Sequence, residues 1–254
     1  MHNGHAYVDL GLRSGGKKIL FATTNIGANS PEEVGDFFAW GETSKRYTGL
    51  EYGNQITGAS NPFDLDNSPF LYEAGFATGL CSYDDETGDI VEEQHVDYYN
   101  KYRANGYYFA PTGEYSPGDG KTTLEPSDDI AHVLWGEGWR MPDVSDLDWL
   151  CADTDSWVWT DNWNSTGVSE YIVRGRGEYA QNSIFLPITG YVSDLNHFAS
   201  YTAGYWSRTV EIFPSPSNAR YLYFSDDVEL GFPTASSEYR FIGHSVRPVL
   251  EIPE

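Results

Sequence analysis

Four residue patterns in this chain have types and spacings that could do chemistry. Gly175-Arg176-Gly177-Glu178-Tyr179-Ala180 fits a dinucleotide-binding fingerprint and follows a strand-like run. That chemistry needs a helix next, whose N-terminus holds the pyrophosphate, whereas Gln181-Asn182 and another strand-like run follow here. The pattern is rejected. Clustered oxygens suit hard cations, and Asp64 with Asp66, Asp84-Asp85-Glu86 with Asp89, and Asp226-Asp227 with Glu229 supply them. None has the glycine that an EF-hand turn requires, and carboxylate runs read as solvated faces, so no cofactor is expected and calcium is the one ion these acids would suit. Cys81 and Cys151 are too few for a disulfide framework and form no CxxC pair; they allow at most one disulfide. The 38 acidic residues show no spacing that singles out a pair for glycoside hydrolysis.

The segment from Arg208 to His244 is the positive signal. It is dense in Tyr, Ser, Asn, Asp, Phe and Arg, and no Lys, Gln, Met or Trp lies between Thr209 and Leu250. Tyr and Arg give rigid contact area and Ser and Asn give adaptable hydrogen bonds, as in a paratope. Arg208, Phe213, Asn218, Arg220, Asp226, Phe232, Tyr239, Arg240 and His244 are therefore expected to contribute exposed, ligand-binding side chains to one face. Strand alternation must hide either Arg220 or the pair Tyr221 and Tyr223, and the tyrosines are expected in the core.

Charge narrows the partners. With 15 Lys and Arg against 38 Asp and Glu, the net charge of −23 repels phosphate backbones and anionic lipid. No nucleic acid is expected, and apolar stretches such as Ile184-Phe185-Leu186 are far shorter than the ~20 residues of a membrane helix, so no membrane insertion is expected. Met1-His2-Asn3-Gly4-His5 lacks the basic start and apolar run of a signal peptide, which fits a mature domain or an excised fragment.

Two strand-like stretches, Ala6 to Leu12 and Lys18 to Ile26, precede Ser30-Pro31-Glu32-Glu33, whose N-cap, N1 proline and capping-box glutamate predict a short helix. A loop-rich insertion is expected at about 43–121, because no period is sustained there. Ser127, followed by Asp128 and Asp129, should open a capped short helix through Ile130 and Val133, and Asp143 a second, with Val144, Leu147, Leu150 and Cys151 on one buried stripe where a thiol is inert filler. Beyond Trp157, short Tyr-, Val-, Ile- and Trp-rich runs between turns predict antiparallel strands at Trp157 to Thr160, Tyr171 to Arg174, Ile184 to Val192, Tyr205 to Thr209, Arg220 to Phe224 and Gly243 to Val249. The whole reads as one α+β domain over 1–254, with small antiparallel sheets and two short helices. Trp40, Trp135, Trp139 and Trp206 are expected in its core, and Trp157, Trp159 and Trp163 also as packing residues.

Seven stretches, in order, resemble the Fibrobacter succinogenes major paralogous domain family. They are Tyr7-Val8-Asp9-Leu10-Gly11-Leu12, Asn25-Ile26-Gly27-Ala28 through Ala39-Trp40-Gly41-Glu42, Leu124-Glu125-Pro126, Gly138-Trp139-Arg140-Met141-Pro142, Ser183-Ile184-Phe185-Leu186-Pro187, Gly204-Tyr205-Trp206-Ser207 and Ser245-Val246-Arg247-Pro248-Val249. The resemblance implies a C-type-lectin-like fold, the Tyr7–Leu12 strand pairing with Ser245–Leu250, and an extracellular or cell-surface protein of adhesin type from gut Bacteroidetes. Its partner would be a protein or glycan receptor on another cell or particle. The closing Ser-Val-Arg-Pro-Val is also similar to the end of variable proteins diversified by retroelements. Thr24 and Arg103 stand where the family often has cysteines, so family disulfides do not carry over, and His244 replaces an aromatic or aliphatic residue, which implies an exposed or diversified position. Three functions remain open: a non-enzymatic ligand-recognition module displaying about residues 206–244, a retroelement-diversified variable protein for phage or cell-surface binding, and a fold-related enzyme of the formylglycine-generating type.

Overall fold

A computed structural model describes residues 1–47, 63–72, 80–83, 90–94, 96–97, 99–103, 105–109, 114–160, 162–166, 168, 170–198, 201–212, 217–226 and 232–254. The architecture is mixed α+β, with small and mostly antiparallel sheets and two helices. Among the described residues no helix is long and apolar enough to cross a membrane.

Helix α1, Ile130–Trp135, begins at Asp129 rather than Ser127, which lies in a preceding 3-10 turn, because the Asp129 carboxylate accepts from the Ala131 and Met141 amides (both 2.9 Å). Burial pushes that carboxyl's pKa up, and the backbone amides pull it back down. Helix α2, Val144–Cys151, starts with the Asp146 carboxylate accepting from the Asp143 amide (2.9 Å). Leu147 and Leu150 are buried on its stripe, with Val144 and Cys151 half-buried. The helix expected at Ser30 does not form. Turns replace it, because the Glu33 carboxylate accepts from the Asn29 amide, and Gly27 and Gly35 take positive φ on either side.

The first sheet runs in the order Tyr7–Val8, Lys17–Ala22, Val249–Pro253, Trp139–Arg140, with Arg13–Ser14 also on Lys17–Ala22. The N-terminal strand therefore does not pair directly with the C-terminal one. Lys17–Ala22 inserts between them, because Arg13-Ser14-Gly15-Gly16 turns the chain back on itself before it reaches the C-terminal strand. The two ends still share one sheet.

The second sheet runs Thr234–Tyr239, Asn218–Ser225, Thr202–Val210, His244–Ser245, Phe37–Phe38. Its two faces carry different cores. Tyr205, Leu222 and Phe224 point toward α2 and pack with Leu147, Leu150 and Val249. Trp206 and Tyr221 point the other way and pack with Trp40, Trp135 and Trp139. The indoles of Trp40 and Trp206 lock the two edges reciprocally, donating to the Ser207 and Phe38 carbonyls (both 2.8 Å). Each satisfies its N–H while burying its full ring. Arg247 ties the last motif to the first, donating to Asn25 Oδ1 (2.7 Å).

A third sheet, Trp157–Thr160, Glu170–Arg174, Ser183–Leu186, holds Trp157 in the core but leaves Trp159 exposed against the edge of Tyr171, so Trp159 is not a packing residue. Trp163 is half-buried and stacks on Phe185. Within 43–121 the described elements are short, such as Leu80–Tyr83 and Ile90–Gln94.

Candidate functional site

The expected binding face is split by the sheet it sits on. Asn218, Arg220 and Tyr239 lie on the side that also carries Leu222 and Phe224, while Tyr221 and Tyr223 lie on the other. Arg220 is half-buried and paired to Glu211 (2.7 Å); Tyr239 is exposed and stacked on Phe241. Arg208 is committed to Asp143 through two hydrogen bonds (2.7 and 2.9 Å). Asp226 and Phe232 are exposed, whereas Phe213, Asp227, Glu229 and the Asp84–Asp89 cluster lie outside the described residues, as does the Cys81 side chain. Among the described residues no group of three or more His, Cys, Asp or Glu could hold a metal ion. Asp64, from one of the acidic pairs, caps a turn through the Asn67 amide.

Two of the nine expected residues are corrected outright. Arg240 is 0% exposed: its guanidinium lies over the rings of Tyr99 and Trp40 and donates to the Tyr102 and Lys101 carbonyls. Aromatic faces and carbonyls from distant chain segments solvate the charge that water would otherwise hold. His244 is 3% exposed. It is not on the surface.

His244 is buried because of a glycine. Ser245 pairs parallel with Tyr205, which sets His244 beside Gly204, and a β-carbon at Gly204 would overlap the imidazole. The bare position lets the ring lie across the sheet, as close backbone approach at a strand glycine allows. It stacks on Tyr221 at 4.7 Å and 10° and meets Trp206 edge-on at 4.7 Å. Neither ring nitrogen has a hydrogen-bond partner, an exceptional state for a buried polar group. Burial alone lowers its pKa to about 3, so the ring is neutral at physiological pH.

This ring borders a cavity of about 270 Å³, walled also by Tyr191, Tyr221, Tyr223, Thr202 and Glu238. Tyr191 comes from the Tyr191–Ser193 and Asn196–Phe198 hairpin, which is held against the sheet by the Gly190 amide donating to the Thr202 carbonyl (2.8 Å). Phe198 stacks behind Tyr191 (4.9 Å) and extends the aromatic wall to the surface. Burial, and after it the Glu238 carboxylate, pushes the Tyr221 phenol up to about 12, so it stays a hydrogen-bonding hydroxyl. The tyrosines thus line a cleft as well as flank a core.

A second cavity, about 150 Å³ beside Asp129, Arg140 and Arg208, offers nothing to a ligand. Its arginines are already paired with Asp143, Asp146 and Glu251, and Asp129 is spent on amides.

Sequence reasoning passed over Tyr191, Thr202, Gly204 and Glu238. Gly204 carried a signal: a lone glycine inside an aromatic strand marks the close approach of another group. No protein-family model matches the chain, and no curated protein or solved structure matches it.

Proposed function

We propose that this chain is a non-enzymatic recognition domain of C-type-lectin-like fold, working outside the cell or on its surface, and that the cleft around His244 holds its ligand. One observation carries the reading. A histidine with both nitrogens unpaired is kept in a buried, aromatic seat beside an open cavity, where an apolar ring would cost less. Natural sequences retain such local costs where function needs them. The concave, mostly aromatic wall with a few polar groups is the ordinary form of a small binding site.

The lectin-like assignment is supported by how the family-like stretches meet. Gly138–Pro142 pairs with the last strand, Asn25 binds Arg247, and Trp40 and Trp206 interlock. The absence of catalysis is part of the proposal and rests on two groups. His244 titrates too low to act as a general base near pH 7, and burial pushes the Cys151 thiol up to about 12, which removes the thiolate a nucleophile needs.

A retroelement-diversified binding protein is the second reading, favoured by the Lys-, Gln-, Met- and Trp-free alphabet between Thr209 and Leu250. In it, variation would be confined to exposed positions such as Phe232 and Tyr239, since Arg240 and His244 are fixed by packing.

The test is an array of glycans and receptor ectodomains probed with wild type and with Tyr223→Ala. Tyr223 is only half-buried, so the variant should fold. Loss of at least tenfold in affinity for every ligand retained by wild type is expected; unchanged affinity would move the binding surface elsewhere.

A further inference from the structure

Resting on the cleft reading above, we infer that the His244 cleft accepts a cationic side chain, lysine or arginine, presented on the surface of a protein partner. Among the described residues no lysine or arginine lines the cavity, and Glu238 is the one carboxylate in its wall. That carboxylate accepts a hydrogen bond from the Tyr239 amide (2.9 Å) and meets no basic group among the described residues. Its charge is therefore not neutralised locally. The net charge of −23 on the whole chain favours the approach of cations over anions.

The walls suit the same guest. Tyr221 and Tyr223 meet edge to face at 6.3 Å, and Tyr191 stands 6.4 Å from the imidazole, so three phenol rings surround one opening. Ring faces attract an ammonium or guanidinium through their quadrupoles, most strongly where water is excluded. His244 completes the enclosure without opposing it, because an imidazole this deeply buried stays uncharged while the cation is bound. A neutral imidazole also keeps one donor and one acceptor. A volume of about 270 Å³ falls at or below the range of about 300–1,000 Å³ typical of sites for drug-sized ligands, which fits one side chain rather than an extended ligand.

The experiment follows the ring resonances of His244 and Tyr221 by NMR in the whole chain. N-acetyl-lysine-N-methylamide and N-acetyl-arginine-N-methylamide are titrated beside their neutral counterparts made from norleucine and citrulline, and beside methyl glycosides. Saturable shifts with the two cations, at least tenfold weaker shifts with the neutral counterparts, and a further tenfold weakening of the cations by Glu238→Gln are expected. The same spectra show whether Glu238→Gln is folded. Leu134→Ala, an exposed change on α1 away from the cavity wall, should bind the cations as wild type does. If norleucine, citrulline or a glycoside shifts these rings as strongly as the cations, or if Glu238→Gln binds the cations undiminished, the cationic guest is wrong while the cleft remains a binding site. Silence of both rings toward every probe would overturn the guest and count against the cleft itself.

Discussion

Replacing His244 by Phe separates the histidine's cost from its use. The folded imidazole titrates near 3 and the unfolded one near its ordinary 6.5, so the neutral ring is the folded form. Its contribution is complete above about pH 7 and is lost as pH falls through 6.5 toward 3, because only the unfolded chain takes up the proton. At pH 5 this loss amounts to about 2 kcal/mol, and its ceiling below pH 3 is about 5 kcal/mol. The pH curve of the wild type alone would conceal it. Glu170, accepting from the Ile188 amide, is raised to about 8 by burial, so its proton is held more tightly in the folded chain, and stability rises by about 3.5 kcal/mol between pH 8 and pH 5. The difference between variant and wild type removes that contribution. At pH 8, Phe relieves two unpaired nitrogens worth about 1–3 kcal/mol each, against an overpacking cost of about 1–3 kcal/mol beside Gly204. The variant should therefore be about 2 kcal/mol more stable than wild type in urea unfolding followed by tryptophan fluorescence at pH 8, and that advantage should widen by about 2 kcal/mol more at pH 5. An identical difference at both pH values would show that the ring is not a buried neutral imidazole.

Gly204→Ala puts a methyl where the His244 ring lies; it should destabilise by about 1–3 kcal/mol and abolish cleft binding, and wild-type stability in the same unfolding assay would contradict the packing described here. Arg240→Met strips the Lys101 and Tyr102 carbonyls of a charged donor, and thermal or urea unfolding should show a loss of about 3 kcal/mol; a loss below about 1 kcal/mol would mean that the central segment is not anchored by this residue. Cys151, with its thiol pushed up to about 12, should react with a disulfide reagent at pH 8 at least a hundredfold more slowly than a free thiol, as read by peptide mapping, and rapid native-state labelling at this site would refute its burial.

Local pattern made much of this fold readable. The α2 stripe of Leu147 and Leu150, the Asp143 start, the strand at Trp157–Thr160 and the Arg220–Phe224 heart of Asn218–Ser225 follow from periodicity and turn chemistry alone. The four expected core tryptophans are buried. What failed was non-local. Arg240 looked like surface because arginine usually is; its solvent turned out to be Trp40, Tyr99 and two carbonyls from elsewhere in the chain. Thr234–Tyr239 reads Thr-Ala-Ser-Ser-Glu-Tyr, with too little apolar alternation to announce a strand, yet its pairing with Asn218–Ser225 brings Glu238 to the cleft. The candidate site was legible as a segment and in His244, whereas Tyr221 and Tyr223, expected in the core, also line the cleft. Which face they shared depended on Gly204 and on a parallel contact between Tyr205 and Ser245, and no window of sequence contains both.

The most direct test of the central claim is the affinity of one ligand, found on the glycan and receptor array, for wild type, Tyr223→Ala and His244→Phe. Truncating a side chain at the centre of a binding site, as Tyr223→Ala does, costs about 2 kcal/mol or more, and His244→Phe removes the donor and acceptor of the imidazole, so both variants should bind at least tenfold more weakly while remaining folded at pH 8. Wild-type affinity in both variants would contradict the account and place recognition on a different surface of the domain.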